Sequence, residues 1–341
     1  MHTCDYYRHM PEFRWDPITG RSVIIAAARS KRPRQHGAGN EQAHGELCPF
    51  CPGNEALTPP EVWALRKKDS HADKPGWTVR VVPNKYPALE DHGALTVKKD
   101  SFYESLNGLG IHEVIIESPD HEINMGALNI DQCADILRAY RARMRAVGDD
   151  PRWRYLLLYK NQGERAGATL EHVHSQLIVL PIVPQSAADE LTSAKKHYDS
   201  KGHCIFCEIV QREVERGERL VSQSDKFIAF CPFAPRFSYE AWILPKNHVA
   251  AFEQSTDEDI AALAQFLRDF ISRLNRALDR PPFNYVIYSK PPHQSTTRYY
   301  HWRIEILPQI ARAAGFEWGS GMYMNSVAPE EAARLLRDAA L

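Results

Sequence analysis

The sequence predicts an α+β protein built from two related halves, each an antiparallel sheet with helices packed on it. Three observations carry this reading. Two Cys-x-x-Cys pairs, Cys48/Cys51 and Cys204/Cys207, head two stretches of similar order. Each stretch runs to a histidine, His121 or His248, and then through an amphipathic helix and an apolar strand to a second histidine, His172 or His301. The histidines stand 51 residues apart in the first half and 53 in the second. Strand, helix and strand runs in one order, given twice, indicate an internal duplication of a layered α+β unit.

Each element has a local reason. After Cys48-Pro-Phe-Cys51 come the apolar runs VRVVPNKYPAL and EVIIESPDH. Cys133, Ile136, Leu137, Tyr140, Met144 and Val147 then recur at helical spacing, with Gly148 as a stop. RYLLLY reads as the next strand, and HVHSQLIVLP opens another. The second half repeats the pattern with FIAFCPFAPRF, EAWILPKNH, NYVIYS and HWRIEILPQI. Its helix starts at a capping box over Ser255-Thr-Asp-Glu258, with Ile260, Leu263, Leu267, Phe270, Leu274 and Leu278 on one face. The Ala/Ser/Lys-rich stretch 185–202 holds the boundary, so the expected domains are 1–190 and 191–341. Strand order is left open by this pattern.

Of the 341 residues, 43% are apolar, and 42 Lys+Arg face 43 Asp+Glu for a formal net charge of -1. This is a globular composition with length for about two domains, and it excludes disorder, collagen and coiled coil. A neutral chain has no basic field for non-specific nucleic-acid binding. No apolar run approaches the ~18 residues of a membrane span. The start, MHTCDYYRHMPEFRWDP, has no apolar targeting core, which gives the expectation of a cytoplasmic address with reduced thiols. In that setting Cys-x-x-Cys indicates metal before disulfide. Cys4, Cys133 and Cys231 read as small buried hydrophobes.

A thiolate pair with two distant histidines is a donor set that closes a tetrahedral zinc site. The expected sets are Cys48, Cys51, His121, His172 and Cys204, Cys207, His248, His301, giving two Zn²⁺ ions per chain. Four protein ligands leave no open position, so both are expected to be structural.

The segment from Asn161 to Gln176 carries the most chemistry. On an extended chain, positions 172, 174 and 176 share a face. With His172 anchored to metal, His174 stands beside it as a neutral imidazole able to attack phosphorus. Gln176 can donate to a phosphoryl oxygen without being an acid, which favours transfer over hydrolysis. Gly167 and Thr169 form a small loop that brings backbone N–H groups and a hydroxyl to phosphate. In the second half Arg303 and Glu305 occupy the places of His174 and Gln176. Arginine never deprotonates in proteins, so one active site per chain follows. An ion pair and a ligand contact both remain open for those two residues. Tyr299 and Tyr300 read as core packing.

This segment resembles the HPHGQ region of the galactose-1-phosphate uridylyltransferases, the transferase branch of the histidine-triad superfamily. WDPITGRSVIIAAARSKRP, CPFCPGNE, VRVVPNKYPAL, SPDH, NQGERAGATLEHVHSQ, LPKNH and HWRIEILP fall in that family's order. The resemblance implies two histidine-triad-like domains and a ping-pong transfer from a nucleoside-diphosphate sugar to a sugar 1-phosphate, with His174 as covalent nucleophile and Gln176 stabilising the intermediate. It also implies that Asn84, Asn161 and Thr169 contact nucleotide or phosphate. Arg29 and Arg32, in the basic run 29–34, match residues that hold the sugar phosphate across the interface of a homodimer.

Departures from the family pattern bear on the substrate. Val173 and Glu171 stand where the uridylyltransferases have proline. The tail GFEWGSGMYMN, 315–325, has Ser320-Gly321 where they have a Tyr-Glu pair reading galactose, which leads us to expect weak discrimination between glucose and galactose. The tail and the second Cys-x-x-Cys are more similar to zinc-rich relatives that act on ADP-glucose, where phosphate can be the acceptor. The expectation is therefore a UDP-glucose:hexose-1-phosphate uridylyltransferase, with ADP-glucose phosphorylase or a non-catalytic zinc-stabilised nucleotide-binding protein as alternatives.

Overall fold

The computed structural model describes residues 11–15, 22–26, 48–121, 124–294 and 297–339. Cys4, Arg29 and Arg32 lie outside the described residues. Strand alternation sets the layers. In FIAF, Phe227 and Ala229 enter the main core while Ile228 and Phe230 enter a second apolar cluster around Cys204.

A small antiparallel sheet is formed by β1 (Glu12–Trp15), β2 (Ser22–Ile25), β5 (Val97–Lys99) and β6 (Glu104–Asn107), in the order β2-β1-β6-β5. The first half also supplies β3 (Trp63–Arg66), β4 (Trp77–Pro83), β7 (Ile111–Ile116), β8 (Tyr155–Gln162) and β9 (His174–Leu180). The second supplies β10 (Leu220–Gln223), β11 (Phe227–Phe230), β12 (Ala241–Pro245), β13 (Phe283–Tyr288) and β14 (Arg303–Pro308). From edge to centre the orders are β3-β4-β7-β9-β8 and β10-β11-β12-β14-β13. Both halves thus cross their last two strands in the same way, as a duplicated unit must. β8 and β13 pair antiparallel, with Asn161 opposite Asn284, and fuse the two sets into one ten-stranded sheet.

One face of this sheet is covered by α1 (Ile130–Gly148) and α4 (Asp257–Ala277), the two helices expected from periodicity. The Asn129 side chain caps α1 by accepting from Gln132 N–H at 2.8 Å. The box that starts α4 lies one residue beyond the expected one: Thr256 Oγ1 accepts from Asp259 N–H and Asp259 accepts from Thr256 N–H. Ser255 cannot serve because its own N–H closes the preceding turn on Phe252. Leu263, Leu267, Phe270 and Leu274 are at most 1% exposed, and each contributes about 1.5–3 kcal/mol by burial. The turn Met125–Ala127 before α1 comes close to α4 at Gly126, whose carbonyl accepts from Ser272 Oγ at 2.8 Å.

The stretch 185–202 is itself a helix, α2 (Gln185–Lys201), stopped by Gly202 in the left-handed region. The division we propose at 190/191 falls inside it. α3 (Ile205–Arg216) follows at once. In the tail, α5 (Gly315–Ser320) is a short helix started by Glu317, which folds back to accept from Ala314 N–H. α6 (Pro329–Asp338) ends the described chain. Cys133, Cys231 and Tyr300 are buried as expected.

Candidate active site

The face opposite α1 and α4 carries the site. Cys48, Phe50, Trp77, Val82, Val114 and Ile116 form an apolar cluster there. The Cys48-Pro-Phe-Cys51 turn closes by Cys51 N–H on the Cys48 carbonyl at 3.2 Å, and Asn54 donates to the same oxygen at 2.9 Å. Ligand atoms of Cys48, Cys51, His121 and His172 all lie within 4.8 Å of one another, and so do those of Cys204, Cys207, His248 and His301. Both expected sets are therefore brought together. Cys204 caps α3 and Cys207 lies in its first turn, three residues on, which puts both thiols on one side of the helix.

The donor chemistry fits a metal ion. Cys51 Sγ is 3.3 Å from His121 Nδ1 and 3.6 Å from His172 Nδ1. In the second cluster Cys207 Sγ is 3.3 Å from His248 Nδ1 and 3.6 Å from His301 Nδ1. His172 Nε2 donates to the Ser118 carbonyl at 2.8 Å, so its Nδ1 presents the lone pair to the thiols. Burial pushes the His172 pKa down to about 4, against the pull of that carbonyl, and keeps the ring in the neutral form that ligates. Burial likewise pushes the Cys48 thiol up to about 12, so an arriving cation must displace its proton. Among the described residues His301 Nε2 has no hydrogen-bond partner, so this histidine lacks the orienting bond that His172 makes in the first cluster.

His174 follows His172 onto β9, and its Nδ1 donates to the His172 carbonyl at 2.8 Å. Nε2 therefore holds the lone pair. The Phe50 ring sits 5.3 Å from the imidazole, centroid to centroid. His174, Gln176, Asn84 and Thr169 line one cavity of about 300 Å³ between the Cys48 turn and the end of β4. Its walls are otherwise mostly apolar, with Phe50, Leu57, Pro59 and Val82 among them, and Lys85 is its cation. Gly167, at φ 90°, ends a short turn and lets the chain return to Thr169. Gly167 and Asn161 do not line the cavity, and Asn161 Oδ1 accepts from Asn284 at 2.8 Å. Gly315 to Asn325 also stay outside this cavity within the chain.

Several residues of the site were not singled out in the sequence. Gln176 Oε1 lies 2.8 Å from His112 Nε2 and 3.1 Å from the Tyr159 hydroxyl. His112 alternates with Val114 and Ile116 on β7, a polar residue on an apolar face that strand period two exposes. On the opposite face of β9, Ser175 and Tyr140 donate to buried Glu117, which also pairs with Lys160. Burial by itself raises the Glu117 pKa. The Lys160 ammonium and bonds from Lys160, Ser175 and Tyr140 outweigh it and hold the carboxyl below the ordinary range.

At the matching place in the second half, Arg303 is buried in an ion network. It bonds Glu305 at 2.7 Å and grips Glu190 of α2 through two nitrogens, at 2.8 and 2.7 Å. The Tyr288 ring lies 4.3 Å from its guanidinium carbon. Of the two readings left open, the ion pair is the one observed.

This fused double sheet has counterparts among known proteins. A family model described as galactose-1-phosphate uridyl transferase, N-terminal domain, matches residues 3–184, and one described as a domain of unknown function matches 115–339. An ADP-glucose phosphorylase of Arabidopsis thaliana is 34% identical over 97% of this chain and 93% of its own length. A galactose-1-phosphate uridylyltransferase of Thermotoga maritima is 27% identical over 96% and 98%. Among solved structures, an Arabidopsis thaliana ADP-glucose phosphorylase with bound ADP-glucose matches at 33% identity and TM-score 0.76, covering 97% of this chain and 100% of that one. A uridylyltransferase matches at 29% and 0.80, covering 96% and 98%. The chain belongs to the galactose-1-phosphate uridylyltransferase family. Among the described residues no helix is long and apolar enough to cross a membrane.

Proposed function

We propose that the protein transfers a nucleotidyl group from a nucleoside-diphosphate sugar through a covalent intermediate on His174. The observation that carries this is the bond from His174 Nδ1 to the His172 carbonyl. With the hydrogen on Nδ1 and the ring held, the lone pair lies on Nε2, which supports Nε2 as the attacking atom. Nε2 forms a bond to the α-phosphorus while the bond from that phosphorus to the bridging oxygen breaks, and the sugar 1-phosphate leaves with the electron pair. An acceptor phosphate oxygen then attacks the same phosphorus and returns His174 to the neutral ring. Gln176 donates to the phosphoryl oxygens in both steps, and Thr169 and Lys85 stand at the cavity wall for the phosphates. Zn²⁺ in the two Cys/His clusters supplies rigidity. His172 links the first cluster to the nucleophile through its own carbonyl.

For the donor we favour ADP-glucose with inorganic phosphate as acceptor. Support comes from the relative that is 34% identical and from the apolar cavity walls, which suit a large purine face better than a base held by edge hydrogen bonds. The second reading is the uridylyltransferase named first from the sequence, supported by the family model over residues 3–184. The proposed assembly is a homodimer in which Arg29 and Arg32 serve the partner's sugar phosphate. The test is labelling with ADP-glucose or UDP-glucose carrying a radioactive α-phosphorus. Label stable in alkali, lost in acid and absent from His174→Ala supports the mechanism, and the donor giving faster labelling decides the base. A chain that binds nucleotide without labelling is a binding protein.

A further inference from the structure

We infer that His112 and Tyr159 are positioning residues that fix which end of the Gln176 amide faces the phosphoryl group. This rests on the transfer proposed at His174. The backbone N–H of Ala88 donates to His112 Nδ1 at 3.0 Å. A backbone N–H cannot accept, so Nδ1 holds the lone pair and, in the neutral ring, Nε2 holds the hydrogen. Asn84 Nδ2 lies 3.1 Å from that Nε2, but Asn84 Oδ1 accepts from Tyr86 N–H at 2.9 Å, so Asn84 presents no acceptor to the ring. The hydrogen goes to Gln176 Oε1, 2.8 Å away.

The Tyr159 hydroxyl gives the same oxygen a second bond at 3.1 Å. Strand register enforces both contacts: Tyr159 faces Gln176 across β8 and β9, and Val114, two residues from His112 on one face, faces it across β7 and β9. With the oxygen held by two donors, the amide NH₂ points the other way, toward the cavity that Gln176 and His174 share. A reversed amide sets its oxygen against phosphoryl oxygens, trading a donor for a repulsion. In the second half, where Glu305 has no amide to orient, the residue facing it from β13 is Val286.

The test measures kcat and KM for His112→Leu and Tyr159→Phe, each alone and with Gln176→Ala, alongside labelling of His174. We expect His112→Leu to lower kcat toward the level of Gln176→Ala, a loss of about 10²–10³, with donor KM little changed. In the Gln176→Ala background the same changes cost less than about threefold, since residues acting as one unit are non-additive. His112→Gln, whose amide N–H reaches the place of Nε2, recovers most of the loss. If His112→Leu does not fold, Tyr159→Phe, which deletes one oxygen, carries the same cycle with a loss of about tenfold or less. Losses that multiply in the Gln176→Ala background, or an unchanged kcat, overturn the positioning role alone. Absence of label on His174 overturns this role together with the transfer reading.

Discussion

Lys160 is ion-paired with Glu117 behind the strand that carries His174, and its ammonium also donates to the His174 carbonyl at 3.4 Å. Their side chains are 1% and 0% exposed. Lys160 faces Ser175 across β8 and β9, whereas the same register positions in the second half are Ile287 and Ile304. The duplicated unit can thus be built with an apolar pair here, and at this register position it is the half with the nucleophile that buries a charge.

Breaking that pair is expected to be costly. Lys160→Met leaves Glu117 charged and unpaired, which destabilises by about 3–5 kcal/mol in a denaturant titration. Lys160→Met with Glu117→Gln removes both charges and recovers part of this.

Acid adds a second check. Because Glu117 is held below the ordinary carboxylate range, its contribution is fully present above the unfolded value of about 4.3 and is lost as pH falls from there through the lower folded value. The wild type should therefore lose more stability than the double variant over that window. Equal acid slopes would remove Glu117 as the cause.

His174→Ala is expected to abolish turnover and leave the metal content intact, while His172→Ala lowers both. The reason is geometric: His172 faces the thiols and holds His174 through its carbonyl, whereas His174 faces the cavity. Elemental analysis with initial rates decides it. Substantial activity in His174→Ala sinks the covalent route.

Two zinc ions per chain are expected, and they should not leave together. His172 has its Nε2 on the Ser118 carbonyl, while His301 Nε2 has no partner among the described residues. Loss of such an orienting bond costs about 10–100-fold in metal affinity. A chelator titration should empty the cluster of Cys204 and Cys207 first. Simultaneous release contradicts this ordering.

Arg303→Met should destabilise the chain by about 3–5 kcal/mol, since it strands Glu190 without its cation and leaves Glu305 to Arg236 alone. Labelling of His174 should survive wherever the variant remains folded. A folded variant that no longer labels would mean that the second half takes part in the reaction.

Much of this protein was legible in its residues. The Cys-x-x-Cys pairs, the near-equal histidine spacing, the helical periods of α1 and α4 and the His174/Gln176 alternation are local signals, set by coordination chemistry and by backbone periods of 3.6 and 2. Even the displaced box of α4 was off by one residue, because Ser255 and Thr256 are both good caps and only the preceding turn chooses between them. The tail 315–325 was less legible, since its glycines permit a turn and a helix alike.

Strand order, the fusion of two sets at β8 and β13, and the partners of Gln176 belong to another level. His112, Tyr159 and Gln176 are brought together by the register of three strands far apart in sequence, and Lys160 meets Glu117 by the same pairing. Local propensity says which residues form a strand and which face they share. Which strand lies beside it, and so which donor reaches which acceptor, is decided only when the non-local hydrogen bonds close and the apolar faces are buried together.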